Sequence, residues 1–381
     1  MTSVFAAGAL VALAACGGGG SKTGGALKTV TIGFQGPLSV NSPQLGLNAL
    51  YGIKVAIDQA NAAHTLPYTL VLKESDDQGS PTQGPAAAQV LASDSNVLAV
   101  VGPMFSGATK ASEPTYTSAD LLSVTPSATN PALTSLGFKT FFRLIPADTA
   151  QGAGAADYIA KVLKAKSVYS LDDNEDYGTG LSTALDAQLV KDGITPKHDS
   201  ISPTKDYSSE ADKIIAYNPS VLYYSGYYQD FGLLAKTLRG KGFKGILFSG
   251  DGSDDPAYVT TAGAAAAEGT YLSCGCADAN SDPADASFVA AVKADNGGHA
   301  PGTYSGEAYD ATNSIISILK TLGDHPTRAA LVAAYKNVDY QGLTKLVSYQ
   351  ANGEIKGDSV YIYQVKSGVV TELGATTDLI K

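Results

Sequence analysis

Residues 97–134 read VLAVVGPMFSGATKASEPTYTSADLLSVTPSATNPALT, and this stretch decides the fold. Val97 to Val101 is a continuous apolar run closed by Gly102-Pro103, a helix opens at Ser106, Leu121 to Val124 is a second apolar run, and Pro126 to Asn130 is a polar turn. Short apolar runs bounded by turn residues suit the central strands of a parallel sheet covered on both faces. Both turns then lie at the carboxyl edge of that sheet. Open α/β sheets bind ligands there, and a helix N-terminus offers free N–H groups to an anion. With the hydroxyls of Ser106, Ser127 and Thr129 beside it, the stretch predicts a site for a small anion such as a carboxylate.

Working outward, strand and helix patterns alternate in both directions. Before the stretch come a strand from Lys28 to Phe34, a helical spacing from Gly46 to Ala62, a strand from Tyr68 to Glu74 and a helix from Thr82 to Ser93. After it, Thr140 to Leu144 leads into a crossing at Pro146 to Asp148, and a second alternating series runs to Ser249. Such alternation requires right-handed crossovers and a parallel sheet, so the fold class is α/β with two doubly wound lobes. Helices at Ala284 to Asp295, Tyr304 to Leu322 and Thr327 to Tyr335 are expected to return to the first lobe. Leu343 to Tyr349 and Ser359 to Val365 are expected as strands joined by the Asn352-Gly353 turn. The predicted division is 28–145 with 274–346 for the N-terminal lobe and 146–273 with 347–381 for the C-terminal lobe. Three hinge strands near 144–148, 270–274 and 345–360 join them.

The chain has 381 residues, 44% of them hydrophobic, which is enough for two cores. Its net charge is −10 and it has no run of Lys or Arg, so nucleic acid is excluded as a partner class. Tyr (21) outnumbers Phe (10) and Trp is absent; tyrosine suits a site that grips small, partly polar molecules. Val4 to Ala15 is too short to span a bilayer and ends in Leu13-Ala14-Ala15-Cys16, which resembles a bacterial lipobox. Residues 1–15 therefore read as a lipoprotein signal peptide, Cys16 as the lipidated residue, and 16–27 as a Gly-rich linker to a membrane anchor.

Cys274 and Cys276 read equally well as a tight disulfide or as two free thiols. The four His show no ligand spacing, so no metal is expected. Gly178-Thr179-Gly180 is a broken dinucleotide fingerprint, and Ser106 stands in Met-Phe-Ser-Gly rather than Gly-x-Ser-x-Gly. Neither a cofactor nor an enzymatic reaction is indicated.

A set of motifs runs through the chain in order. These are Ile32-Gly33, Gly36-Pro37-Leu38-Ser39, Asp76-Asp77, Val101-Gly102-Pro103 with Ser106, Pro126-Ser127-Ala128-Thr129-Asn130-Pro131, Phe142-Arg143, Asp148 with Gln151-Gly152, Asp176-Tyr177-Gly178, Tyr224-Ser225-Gly226-Tyr227 and Gly250-Asp251-Gly252. In that order they resemble the leucine/isoleucine/valine-type family of extracytoplasmic substrate-binding proteins that serve ABC importers.

The resemblance implies a type 1 periplasmic-binding-protein-like clamp, monomeric, that captures an amino acid, with a branched-chain or other hydrophobic one favoured, and hands it to permease subunits. It implies that Ser106 and Thr129 meet the ligand carboxylate, with backbone groups of Ser127, Ala128 and Thr129. Tyr177 and Tyr227 would close from the second lobe, and Asp251 would pair with the ammonium where relatives usually have Glu. Tyr309 and Leu45 would line the first-lobe wall. A ligand sensor for a receptor, or a binder of an amide or other amino-acid-like solute, is the alternative. Each residue also has a plainer role open to it: Ser106 as a helix cap, Ser127 and Thr129 as turn residues, Asp251 as a loop acid.

Overall fold

The computed structural model describes residues 28–381. Cys16, the signal segment 1–15 and the linker 16–27 fall outside the described residues. The elements are β1 (Thr29–Gly36), α1 (Pro43–Ala62), β2 (Thr69–Asp76), α2 (Gly84–Ala92), β3 (Val97–Val101), α3 (Ser106–Ser118), β4 (Leu122–Thr125) and β5 (Phe141–Arg143). Then come α4 (Asp148–Asp157), β6 (Val168–Asp172), α5 (Asp176–Lys191), β7 (Lys197–Ser200), α6 (Ser208–Tyr217), β8 (Val221–Ser225), α7 (Tyr228–Gly240) and β9 (Ile246–Ser249). The chain continues with α8 (Pro256–Ala262), α9 (Ala264–Ala267), β10 (Tyr271–Cys274), α10 (Ala286–Asp295), α11 (Ser305–Leu322) and α12 (Arg328–Tyr335). It ends with β11 (Tyr340–Gln341), β12 (Leu346–Val347), β13 (Tyr361–Lys366), β14 (Val369–Ala375) and α13 (Thr376–Leu379).

Two sheets result. The first is all parallel in the order β2-β1-β3-β4-β5, and the second runs β14-β13-β10-β9-β8-β6-β7 with β13 and β14 antiparallel. β3, β6 and β8 are buried along their whole length, as strands covered by helices on both faces must be. The helix α11 packs on α1 so closely that a Cβ on Gly52 would stand 2.1 Å from the Ser305 carbonyl oxygen. The chain passes between the sheets three times, after β5, after β10 and before β13.

The C-terminal hairpin differs from expectation. Its turn is Ser367-Gly368, both residues with positive φ (53° and 75°) as a two-residue hairpin turn requires, and not Asn352-Gly353. Asn352-Gly353 does form a turn, in the third crossing between the bridged residues Tyr349 and Ile355, where the Gly353 carbonyl accepts the Arg143 N–H at 2.9 Å. Of the expected strand Leu343 to Tyr349, Leu346 and Val347 pair with Tyr340 and Gln341 and Tyr349 bridges Ile355, whereas Asp310 holds the N–H groups of Leu343 and Thr344.

Burial inside the first lobe has a pH signature. Glu113 of α3 is fully buried, Ser123 donates to its Oε1, and its Oε2 has no partner. Desolvation pushes its carboxyl up to about 8, against a partial offset by Ser123. Its folded-state value lies above the unfolded one, so its contribution to stability is complete at low pH and is lost as pH rises toward 8. Glu113→Gln removes that loss. The stability difference between variant and parent is expected to move in the variant's favour by about 1.4 kcal/mol per pH unit between pH 5 and 8, read by urea unfolding. A difference that does not vary with pH would contradict this.

Candidate functional site

The site is built where loops from both sheets meet. Ser106 opens α3 directly after Phe105, whose extended backbone (φ −100°, ψ 142°) marks the helix start, so the first N–H groups of α3 have no partner within the helix. Ser106 is buried and its Oγ accepts the Asn130 N–H at 3.2 Å. Thr129 is also buried, and its Oγ1 has no hydrogen-bond partner. The Ser106 hydroxyl thus lies against the residue that follows Thr129.

The rest of the polar turn is partly committed. The Ser127 hydroxyl donates to the Met104 carbonyl at 2.6 Å, and the Ala128 N–H donates to Thr125 Oγ1 at 3.0 Å. Behind the turn, the buried Arg143 guanidinium donates to the Asn130 carbonyl at 2.6 Å and approaches that of Ala128 at 3.5 Å, while also bonding Glu354 through two nitrogens. The expectation that Ser127 offers its side chain to a ligand is therefore corrected: that hydroxyl holds the turn to the end of β3.

Asp251 faces this turn from the second lobe. It is 1% exposed, and its carboxylate accepts from Tyr177 Oη (2.5 Å), Gln151 Nε2 (2.9 Å) and Tyr304 Oη (2.8 Å). Burial pushes its carboxyl up, and the bonds from Tyr177, Gln151 and Tyr304 pull it back. A carboxylate has about four acceptor positions, so one stays available beside the three donors. Tyr304, immediately before α11, has φ +70°, a conformation rare for an aromatic residue, and it is this backbone that carries its hydroxyl across to Asp251.

Aromatic rings close the entrance. Tyr227 stacks on Phe105 with ring centroids 4.1 Å apart and leans on Tyr177 at 5.1 Å, so one ring from each lobe meets across the gap. The lobes also touch through Asn48 and Asp255 (2.7 Å), Ser42 and Gln229 (2.9 Å), and Lys110 and Asp176 (2.8 Å). Beside the aromatic pair is a cavity of about 340 Å³ bounded by Phe105, Gly107 and Ala108 on one side and Asn174, Asp176 and Tyr227 on the other.

Tyr309 is not in the cleft. Its ring packs on Phe288 at 4.8 Å, and its hydroxyl donates to Gln59 at 2.6 Å on the outer side of α1. Tyr304, five residues earlier and therefore on another face of the helix start, takes the first-lobe position instead. Leu45 is fully buried in the same apolar cluster as Phe105 and Tyr304. Gln151 and Arg143 lay within the ordered motifs, but without a role; nothing in the sequence pointed to Tyr304. Cys274 and Cys276 are joined as a disulfide, Cα atoms 5.0 Å apart, at the second crossing. With Asp254 they are the one group of potential metal ligands among the described residues, and the disulfide leaves no thiolate for an ion.

Two sheets of mainly parallel strands joined by three crossings define a two-lobed solute-binding clamp. The chain belongs to the periplasmic binding protein family, whose model matches residues 29–369. It is 31% identical over 349 residues to "Leu/Ile/Val-binding protein homolog 3" of Brucella melitensis, covering 90% of this chain and 93% of that protein. It is 30% identical over 344 residues to "Amino acid binding protein" of Pseudomonas aeruginosa, covering 89% and 91%. Among solved structures, a leucine-binding protein from Thermotoga maritima superposes with TM-score 0.83 at 26% identity, covering 91% of this chain and 98% of that one. The fold is shared with a branched-chain amino acid transporter substrate-binding protein of Streptococcus pneumoniae in complex with isoleucine (TM-score 0.83, 24% identity, 91% and 100% covered).

Proposed function

We propose that this protein captures a free amino acid between its lobes and delivers it to an ABC importer. The observation that supports the reading most is the set of buried polar groups at the carboxyl edges of both sheets: Ser106 at the N-terminus of α3, Thr129 with a hydroxyl that has no partner, and Asp251 with a buried carboxylate bonded by Tyr177 and Tyr304. A zwitterion leaving water needs donors at one end and a negative charge at the other, or desolvation cancels the gain. Phe105, Tyr177 and Tyr227 add apolar faces, which favour a branched-chain or other hydrophobic side chain. The names of the relatives, which include binders of leucine, isoleucine and valine, support the same class. Asp251 is one methylene shorter than the Glu usual in such proteins, and Gln151, Tyr177 and Tyr304 brace it from both lobes.

Binding closes the lobes about the three crossings, and the closed face docks on a permease. The protein itself makes and breaks no bonds in this scheme, acts as a monomer, and is held at the outer membrane face through Cys16. No described helix is long and apolar enough to cross a membrane.

A thermal-shift screen against the twenty common amino acids tests the reading. A ligand at 100 times its Kd adds about 2.7 kcal/mol of stability, which raises Tm by several degrees. If no amino acid raises Tm, the reading is wrong.

A further inference from the structure

One carboxylate beside the second crossing has no structural use. Asp254, in the loop between β9 and α8, is 4% exposed. Its backbone is committed: the N–H donates to the Asp251 carbonyl at 3.0 Å, and its carbonyl accepts the Thr303 hydroxyl. Its side chain is not. Oδ1 has no hydrogen-bond partner, and Cys276 Sγ, 3.9 Å from Oδ2, has no proton to donate while it is bonded to Cys274. Capping of α8 falls to Asp255, which accepts the Ala257 N–H at 2.8 Å.

What surrounds this carboxylate suits a cation that binds sulfur. One ligand atom each from Asp254, Cys274 and Cys276 lies within 4.8 Å of the other two. Burial pushes the Asp254 carboxyl up, and so do the neighbouring charges of Asp255, Asp278, Asp251 and Glu372. A divalent cation would relieve both effects. Lys345, the basic side chain at this crossing, is engaged with the Gly275 carbonyl at 3.0 Å and with Glu307 at 3.6 Å. A cavity of about 90 Å³, lined by Asp254, Cys276, Asp278, Asn280, Thr303 and Tyr363, gives access to Cys276 and has room for water as a further ligand. Tetrahedral Zn²⁺, with Zn–S bonds of about 2.3 Å, holds two thiolates roughly 3.7 Å apart, a span that side-chain rotation reaches from Cα atoms 5.0 Å apart.

We propose that Asp254, Cys274 and Cys276 form a redox-gated site for a thiophilic divalent cation such as Zn²⁺, shut while the two sulfurs are bonded to each other and opened by a dithiol reductant. In the opening step the Cys274–Cys276 bond breaks, each sulfur gains a proton, and the reductant gives up two electrons and two protons as it closes to its own disulfide. Zn²⁺ then displaces both thiol protons to solvent, and two thiolates and the Asp254 carboxylate hold it, with water completing the four positions. The site lies at the meeting of all three crossings: a Cβ on Gly275 would stand 2.9 Å from Pro146 of the first, and Lys345 of the third holds the Gly275 carbonyl. It is independent of the amino-acid reading above.

The test uses the full chain with Cys16→Ser, which leaves Cys274 and Cys276 as its two cysteines. The chain is reduced with dithiothreitol, freed of it by gel filtration under nitrogen, and titrated calorimetrically with Zn²⁺. The reduced chain is expected to take up one Zn²⁺, the untreated chain none, and neither should take up Mg²⁺, which prefers oxygen ligands. Asp254→Asn should weaken Zn²⁺ binding to the reduced chain by at least about tenfold, the loss that even an outer partner of a metal ligand causes. Co²⁺ in place of Zn²⁺ should give the reduced chain the visible absorption of a tetrahedral site and a thiolate charge-transfer band. That spectrum needs no substitution at Asp254, so it decides on the sulfur ligands even where Asp254→Asn fails to fold. Absence of zinc uptake after reduction, equal uptake without reduction, or unchanged affinity in folded Asp254→Asn would each overturn the proposal. So would a Cys274→Ser/Cys276→Ser chain that binds Zn²⁺ as tightly as the reduced parent, or a disulfide that opens only when the protein unfolds.

Discussion

Asp251→Ala is expected to weaken amino-acid binding by about a hundredfold or more, the loss usual when one partner of a buried, hydrogen-bonded charge pair is removed. The ligand-free protein should keep its fold. In the empty cleft the Asp251 carboxylate is buried with no cation, and that desolvation opposes the three bonds from Tyr177, Gln151 and Tyr304. Removing it gives up those bonds but also relieves the burial of charge, so the two effects offset one another in the free protein. With an ammonium bound there is no such offset: without Asp251 the ligand's positive charge would sit among tyrosine hydroxyls and an amide with no carboxylate to pair it. Asp251→Asn, which keeps the size and loses the charge, should show most of the same loss. Titration calorimetry and a melting curve of each variant separate binding from folding. Unchanged affinity for every amino acid that the parent binds would remove Asp251 from the site.

How much of this was legible in the sequence depends on how local each signal is. The apolar runs of β3, β6 and β8 are short, continuous and bounded by turn residues, so strand order along the chain and the two-lobed α/β plan could be read from periodicity. Ser106, Thr129, Tyr177, Tyr227 and Asp251 each follow a strand, and the carboxyl edge of a parallel sheet brings such positions together whatever lies between them. Tyr304 gave no such signal. The role of Tyr304 depends on a left-handed backbone at one residue and on α11 packing against α1, both tertiary facts. Tyr309 shows the converse: it stands on the same segment as Tyr304, but helical rotation turns it outward to Phe288 and Gln59. Asn352-Gly353 does lie in a tight turn, but between Tyr349 and Ile355 rather than between two long strands, and Arg143, more than 200 residues earlier, binds both Gly353 and Glu354 there.

That same arginine gives the largest expected effect on stability. Arg143→Met should cost about 3–5 kcal/mol, the range for removing one member of a buried ion pair. The Arg143 side chain is fully buried and that of Glu354 only 16% exposed, so the variant leaves a carboxylate with little water and only the Thr134 hydroxyl, 3.2 Å away, as a partner. It also leaves the carbonyls of Ala128 and Asn130 without the guanidinium that holds them. Those carbonyls belong to the turn that positions Thr129, and Glu354 belongs to the third crossing, so one side chain ties the binding turn to the hinge. Affinity should therefore fall together with stability, in contrast to Asp251→Ala, where affinity falls alone. The double variant Arg143→Met/Glu354→Leu distinguishes charge burial from loss of shape. If the unpaired carboxylate is the main penalty, the double variant recovers much of the stability lost in Arg143→Met, whereas its affinity stays low because the turn carbonyls remain unsupported. Urea midpoints for the three proteins, each with a titration against the same amino acid, decide the matter. An Arg143→Met midpoint equal to the parent's would mean that the ion pair does not hold the turn.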